Sequence, residues 1–184
     1  MTRRIVAACC LLVLPGVLFG ADGPPVEGDT VTDFELPVVE GETVKLSDLT
    51  QDGPVVVVVL RGFPGYQCPL CGVQSVQFGT NAKKFAKAGA KVVMIYPGSV
   101  DDLATKAKEF LAGRKIPEGF TLAIDPGYTM TNAWNLRWDA ENETAYPSTF
   151  VIDKDMKVRW AKVSMKHGGR SKPKEVLEAL ESVE

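Results

Sequence analysis

The chain has 184 residues, of which 45% are hydrophobic and 24% are charged, close to the average for soluble globular proteins. This is enough for one domain with a short leader, and it excludes a disordered chain, a collagen-like fibre and a disulfide-dense miniprotein. The 21 basic and 23 acidic side chains give a formal net charge of −2, so we expect no general attraction to nucleic acid.

Residues 1–20 have the layout of a secretory signal peptide. Two arginines precede an apolar run from Ile5 to Phe19, and small residues follow at Gly20 and Ala21. The run is shorter than the ~20 residues of a spanning helix, so a retained membrane anchor is the less favoured alternative. Cleavage after Gly20 or Ala21 predicts an exported protein, periplasmic or extracellular.

A Pro- and Gly-rich tether at residues 21–28 precedes one domain at residues 29–184. The run from Pro54 to Leu60 is apolar and β-branched on both faces, which predicts a central strand covered on both sides. The other predicted strands are Val31–Leu36, Thr43–Leu46, Lys91–Tyr96, Phe120–Ile124 and a hairpin of Ser148–Asp153 with Val158–Val163. Helices are predicted for one turn after Leu46, over Pro69–Ala88, after a Ser99/Asp102 capping box, near Tyr128–Trp134, and from Ser171 onward. This order predicts an α/β fold, a central mixed sheet with helices on both faces.

Cys68 and Cys71 are the two cysteines that remain after leader cleavage. They follow the valine strand at the start of a predicted helix, where free N–H groups and the helix dipole favour a thiolate. Such a site lowers the cysteine pKa from ~8.5, and the thiolate attacks disulfides and peroxides. In an oxidising compartment a disulfide between the two can persist. The pattern favours a redox-active pair.

Other interpretations of the pair stay open. One is a pair of buried, inert thiols. Another is a metal site, although His167 is the only histidine and structural zinc takes four protein ligands. Copper held by Cys68, Cys71 and His167 is compatible with soft thiolate ligands. The chain has no Gly-rich phosphate loop, and we expect neither a cofactor nor a resident metal.

Pro147 stands at the mouth of the Ser148–Asp153 strand, where a proline removes a ladder hydrogen bond. A cis Tyr146–Pro147 peptide would explain it by turning a backbone edge toward the cysteine loop, and an ordinary trans proline is the alternative. We favour the cis form and place Pro147 in the candidate site.

Together these segments resemble the thioredoxin-like superfamily, through the thiol pair after a valine strand, the strand Tyr146–Asp153 and the last helix. Within it, Gly28–Cys71 is similar to the peroxiredoxin branch, the alkyl hydroperoxide reductase/thiol-specific antioxidant (redoxin) family. The resemblance covers nearly all of the chain after the leader. It implies a thioredoxin-like fold, a hydroperoxide or protein-disulfide substrate and an external thiol reductant of thioredoxin type.

The family's peroxidatic motif is Pro-x-x-x-Thr/Ser-x-x-Cys, and Pro64 and Cys71 match its ends. Cys68 stands where the Thr or Ser belongs, which in thioredoxins is the place of the attacking cysteine. The arginine that the family carries before its last strands is Pro147 here. The resemblance leaves Arg61 and Arg137 as candidates to polarise a peroxide, although either would equally suit a surface salt bridge.

Two functions follow. In the leading hypothesis, a peroxiredoxin-like thiol peroxidase, the Cys71 thiolate attacks a hydroperoxide and Cys68 condenses with the resulting sulfenic acid. In the alternative, a thiol–disulfide oxidoreductase, Cys68 attacks a protein disulfide and Cys71 resolves the mixed disulfide. The Pro64 register favours the first, whereas the missing Thr, the missing Arg and Pro147 favour the second. A copper- or zinc-binding carrier is a third, less favoured reading.

Overall fold

The structure is a computed structural model that describes residues 23–99 and 101–183. The strands are β1 (Glu35–Pro37), β2 (Thr43–Lys45), β3 (Val55–Val59), β4 (Lys91–Gly98), β5 (Phe120–Pro126), β6 (Ser148–Ile152) and β7 (Val158–Val163). The α-helices are α1 (Leu46–Leu49), α2 (Pro69–Thr80), α3 (Ala82–Lys87), α4 (Leu103–Leu111), α5 (Thr129–Ala133) and α6 (Pro173–Leu180). The predicted signal peptide at residues 1–20 lies outside the described residues. Of the predicted tether, Gly28 donates its amide to the Val158 carbonyl at 2.8 Å.

The main sheet has five strands in the order β5-β4-β3-β6-β7, and β1 pairs with β2 in a separate small sheet. The pairs β3–β4 and β4–β5 are parallel, whereas β6 is antiparallel to both β3 and β7. The sheet is therefore mixed, as predicted, and β3 lies at its centre. No helix in the described part of the chain is long and apolar enough to cross a membrane.

Strand β3 is buried on both faces because its valines alternate between two hydrophobic clusters. Val56 and Val58 join the cluster that contains Cys68, Cys71 and buried side chains of α2, α3, α4 and α6. The other three valines join a second cluster, with Trp134, Phe150 and residues of α1 and α5. Helices thus cover both faces of the sheet, which confirms the predicted fold class.

Three predicted boundaries were wrong, each for a local reason. The strand expected from Val31 begins only at Glu35, because the Asp33 carboxylate accepts the Phe34 and Ser47 amides and so offers this segment hydrogen bonds other than those of a strand ladder. The helix predicted over Pro69–Ala88 breaks at Asn81, whose side-chain amide takes the Gln77 carbonyl that the Asn81 backbone N–H would bind in a continuous helix.

The third boundary is the start of α4, where the Ser99/Asp102 capping box was expected. The helix begins at Leu103, so Asp102 is its N-cap and makes no side-chain capping hydrogen bond. An acidic residue completes a capping box only from the third helical position, which Asp102 does not occupy. The buried face of α4 consists of Leu103, Ala107, Phe110 and Leu111.

Candidate active site

The two cysteines lie where β3 passes through a loop into α2. Cys68 is the N-cap of α2 in an extended conformation, and Pro69 occupies the first helical position, where its fixed φ suits a helix. Cys71 is therefore the third helical residue. The sequence places both sulfurs in the first turn, at the positive end of the helix dipole.

Cys68 and Cys71 form a disulfide with a Cα–Cα distance of 5.3 Å. Both are buried, Cys68 at 4% and Cys71 at 0% exposure. The Cys71 amide donates to the Cys68 Sγ at 3.2 Å, which is the interaction of an N-cap side chain with the third helical residue. A thiolate at Cys68 would keep this hydrogen bond, so the helix start can stabilise the reduced form.

The loop between β3 and α2 is held by contacts with β4 and α4. Gly62 has a φ of +68°, and a Cβ there would lie 1.9 Å from the Pro97 carbonyl oxygen, so only glycine fits. Gln67 donates to the Lys106 carbonyl at 2.9 Å and accepts from the Tyr96 hydroxyl at 2.8 Å. Pro64 lies between these anchors, in the bend of the loop. Strand β4 and helix α4 thereby fix the approach to the cysteines.

Arg170, which the sequence did not single out, contacts both sulfurs. Its Nη2 lies 3.7 Å from the Cys68 Sγ and 3.5 Å from the Cys71 Sγ. Arg170 is in the loop between β7 and α6, directly after the Gly-rich stretch that contains His167. No local pattern connects it to cysteines that lie about a hundred positions earlier in the chain.

A buried polar network lies behind this arginine. Gln74, 3% exposed on α2, accepts from Arg170 Nη1 at 3.0 Å and donates to Ser171 Oγ at 3.4 Å. Ser171 Oγ lies 2.7 Å from the Thr149 hydroxyl on β6. The network links α2, the loop before α6 and the strand that follows Pro147.

The Tyr146–Pro147 peptide is trans, as are the other peptide bonds in residues 23–99 and 101–183, so the expectation of a cis bond was wrong. The Pro147 carbonyl accepts the Ser164 amide at 2.9 Å, which extends the β6–β7 pairing by one step. A trans proline suits this place because it is the residue before the strand, where its missing N–H interrupts no ladder bond.

Replacing Pro147 with alanine should therefore have a small effect. The variant loses only the conformational restriction that proline imposes on the unfolded chain, about 0.4–1 kcal/mol of stability. Urea unfolding of the oxidised protein measures it, with the rate of disulfide formation as a second readout. A loss of several kcal/mol, or a large change in that rate, would show that Pro147 does more at the site than the trans geometry explains.

Arg61 and Arg137, the two candidates to polarise a peroxide, are engaged elsewhere. The buried Arg61 donates to Glu143 Oε2 at 2.5 Å, to the Tyr66 hydroxyl at 2.7 Å and to the Asn142 carbonyl at 2.5 Å. Neither arginine makes a hydrogen bond to a cysteine sulfur in the described part of the chain. Arg61 instead joins the cysteine loop, through Tyr66, to the loop before β6.

Arg137 holds the loop before β6 in place. Its Nη1 donates to the carbonyls of Trp138, Glu143 and Thr144, and its guanidinium lies 4.1 Å from the centre of the Tyr128 ring. Contacts of this kind hold a loop closed and leave the guanidinium directed at backbone oxygens.

His167 does not lie with the cysteines as a ligand. Its Nε2 is 2.7 Å from Glu143 Oε1, and its ring packs on Trp138 with centroids 5.2 Å apart. In residues 23–99 and 101–183 no three His, Cys, Asp or Glu side chains form a group that could hold a metal ion. The geometry therefore offers no support for copper held by Cys68, Cys71 and His167.

The chain is similar in sequence and in fold to proteins of a known family. A profile of the AhpC/TSA family matches residues 27–161. The chain is 33% identical over 138 residues to "Peroxiredoxin Q, chloroplastic" of Oryza sativa subsp. japonica, a match that covers 75% of this chain and 59% of that protein. The chain thus spans less than two thirds of the length of that relative.

Solved structures share the fold. Peroxidoxin BcpB from Mycobacterium tuberculosis superimposes with a TM-score of 0.69 at 30% identity, covering 87% of this chain and 99% of that one. A peroxiredoxin-like protein from Aquifex aeolicus, at 18% identity, shares the fold with a TM-score of 0.69 over 86% of this chain and 88% of its own. With the profile match over most of its length, the chain belongs to the AhpC/TSA family and has its thioredoxin-like fold.

Proposed function

We propose that the protein is a peroxiredoxin-like thiol peroxidase, an antioxidant enzyme that reduces hydroperoxides through Cys68 and Cys71. The observation that carries the proposal is the Cys68–Cys71 disulfide in the first turn of α2. Both sulfurs are in bonding position within an intact helix, so the pair can alternate between dithiol and disulfide with little movement. Membership of the AhpC/TSA family supports hydroperoxides as the substrate class.

The reaction needs two sulfurs and one external reductant. The thiolate attacks the outer oxygen of the hydroperoxide; an S–O bond forms, the O–O bond breaks, and the alkoxide leaves as an alcohol after taking a proton from water. The second thiol then attacks the sulfenic acid sulfur, which releases water and forms the disulfide. A dithiol of thioredoxin type reduces that disulfide by exchange and becomes oxidised itself.

We assign the first attack to Cys71 and the second to Cys68. Cys71 is the third helical residue and lies seven positions after Pro64, the register of the family motif. Cys68 is three residues away and already bonded to it, so it is placed to resolve the sulfenic acid.

A thiol–disulfide oxidoreductase is the second candidate, and one surface feature favours it. Tyr66, Leu70 and Val73, at or beside the Cys-Pro-Leu-Cys motif, are 47%, 45% and 55% exposed. Apolar side chains around a reactive disulfide suit the backbone and side chains of a protein substrate. In this function Cys68, the N-cap sulfur, would attack first.

One paired assay separates the two functions. We expect the reduced protein to consume an organic hydroperoxide stoichiometrically and, with thioredoxin and its reductase, catalytically. The same protein should reduce the disulfides of insulin far more slowly than thioredoxin does. Fast insulin reduction without peroxide consumption would contradict the thiol peroxidase and support the thiol–disulfide oxidoreductase.

We further propose that the protein acts outside the cytoplasm after removal of residues 1–20. The support is the charged, apolar and small-residue layout of that segment. Mass spectrometry of the protein from a secreting host should find an N-terminus at Ala21 or Asp22. An intact N-terminus in the cytosolic fraction would contradict export.

A further inference from the structure

A cavity of about 280 Å³ lies between α2, β5 and the loop that joins α4 to β5. Its volume is close to the lower end of the ~300–1,000 Å³ range of small-molecule sites. Neither cysteine of the candidate active site lines it. The cavity is therefore a second place where this protein can hold a small molecule.

The inner wall of the cavity is the edge of the hydrophobic core. Met94 on β4 and Leu122 on β5 are buried, at 5% and 3% exposure, and belong to the cluster that contains both cysteines. Ile116 and Phe120 also line the cavity and pack against the same cluster. Such walls offer an occupant apolar contacts, so they favour a hydrocarbon group.

Helix α2 forms the facing wall with small side chains. Ser75, Val76, Gly79 and Thr80 line the cavity from this side. Gly79 lies so near the opposite wall that a Cβ there would be 3.6 Å from Pro117 Cγ. Val76 is 44% exposed, and an occupant of the cavity would cover part of that apolar surface.

Two cations lie beside these apolar walls. Arg114 and Lys115 line the cavity from the loop after α4, and both are exposed. Arg114 is held there because it donates to the Leu111 carbonyl at 2.9 Å and to the Phe110 carbonyl at 2.6 Å. Among the described residues that line the cavity none is acidic, and Glu118 of the same loop lines a neighbouring pocket instead. The charge at the cavity therefore complements an anion.

We propose that this cavity is a binding site for a free aliphatic carboxylate of medium chain length. The hydrocarbon chain occupies the apolar part, and the carboxylate pairs with Arg114 and Lys115. The site thus recognises both ends of one amphiphilic molecule. The proposal goes beyond the proposed function, because it needs neither Cys68 nor Cys71 and no step of the redox reaction.

The first test is calorimetric titration of the oxidised protein with hexanoate, octanoate, decanoate and dodecanoate, each below its micelle-forming concentration. Every methylene that enters the cavity should tighten binding by about fourfold, until the chain is longer than the cavity. Decylammonium should bind more weakly than decanoate, because the same chain then carries a charge that Arg114 and Lys115 repel.

Methionine methyl resonances locate the bound chain. Met94 lines the cavity, whereas Met130 is buried in the cluster on the opposite face of the sheet. In protein labelled with ¹³C-methyl methionine, decanoate should shift the Met94 signal in a saturable way and leave Met130 unchanged. Saturable binding that leaves Met94 unshifted would overturn the proposal.

A pair of valines on α2 gives the first set of matched variants. Val76 lines the cavity, and Val73 is one turn away on the same helix, 55% exposed and not among the lining residues. Val76→Asp should weaken decanoate binding, because it places a like charge beside the carboxylate and removes apolar surface. Val73→Asp carries the same change in charge and should bind as the unmodified protein does.

The cations are tested by removing both at once. Arg114→Gln/Lys115→Gln should weaken decanoate binding by about two- to fivefold, the effect of an exposed ion pair, and should abolish the preference over decylammonium. The control is Lys87→Gln/Lys108→Gln, which removes two exposed cations that do not line the cavity. If Val76→Asp does not fold, the cation pair and the Met94 signal decide.

Three results would overturn the proposal. The first is an affinity that does not depend on chain length, and the second is an equal effect of each variant and its control. The third is a different occupant: association with anionic phospholipid vesicles, or dimerisation that rises with protein concentration, in place of saturable decanoate binding. None of these measurements uses peroxide or a thiol, so failure of the peroxidase assay leaves this site unaffected.

Discussion

A Cys71→Ser variant is expected to form no sulfenic acid on exposure to hydroperoxide, and its peroxide consumption should fall to the uncatalysed rate. The reason is that a serine hydroxyl is not ionised at neutral pH, so the nucleophile of the first step is absent. The Cys68→Ser variant keeps that nucleophile but lacks the resolving thiol. Its sulfenic acid should therefore accumulate and be trapped by a sulfenate-specific reagent.

The two variants control for each other, since each removes one sulfur from the same helical turn. Urea unfolding of both should be close to that of the oxidised parent, because a disulfide between residues so close in the chain restricts the unfolded state little. Accumulation in Cys71→Ser and none in Cys68→Ser would reverse the order of attack. That outcome would favour the thiol–disulfide oxidoreductase.

Arg61→Met should destabilise the protein by about 3–5 kcal/mol, the cost of removing one member of a buried ion pair. The side chains of Arg61 and Glu143 are only 4% and 11% exposed, and they are 2.5 Å apart. The change should also loosen Tyr66 and with it the cysteine loop. Urea unfolding measures the free energy of unfolding. The double variant Arg61→Met/Glu143→Leu should recover much of the loss. If the destabilisations of the two single variants simply add in the double variant, the buried-pair explanation is contradicted.

The same pair predicts a pH dependence. Burial acts to raise the pKa of Glu143, but hydrogen bonds from Arg61 and His167 outweigh it, so the carboxyl titrates below its ordinary 4.5. A lowered pKa in the folded state gives stability that is present above pH 4.5 and lost as the pH falls through the folded value. The stability advantage over Glu143→Gln should therefore shrink below pH 4.5. An advantage that stays constant into acid would contradict the ion pair.

The strands of the sheet were predictable from the sequence because each is marked by a run of residues that are neighbours in the chain. The unbroken valines of β3 require cover on both faces, and β6 and β7 pair as the predicted hairpin. The thiol pair at the start of α2 was predictable for the same reason. A proline at the first helical position and a strand just before it identify that place without any long-range information.

The cation at the sulfurs was not predictable, because it depends on which loops meet. Arg61 is seven residues from Cys68 in the chain, yet its guanidinium turns toward Glu143. Arg170 is far from both cysteines in the chain and follows a glycine-rich stretch with no periodic pattern. The expectation of a cis peptide at Pro147 was wrong for a similar reason. An X–Pro bond can be cis or trans, and the packing of the following strand decides which isomer is present.

The alternation of the β3 valines has a consequence for how the protein can change. The cysteines pack with Val56 and Val58, whereas Trp134 and Phe150 pack with the valines on the opposite face. A mutation that repacks the Trp134 face therefore acts on the side of the sheet opposite the thiol cluster. Substitutions on that face are expected to change the stability of the protein more than the reactivity of its thiols.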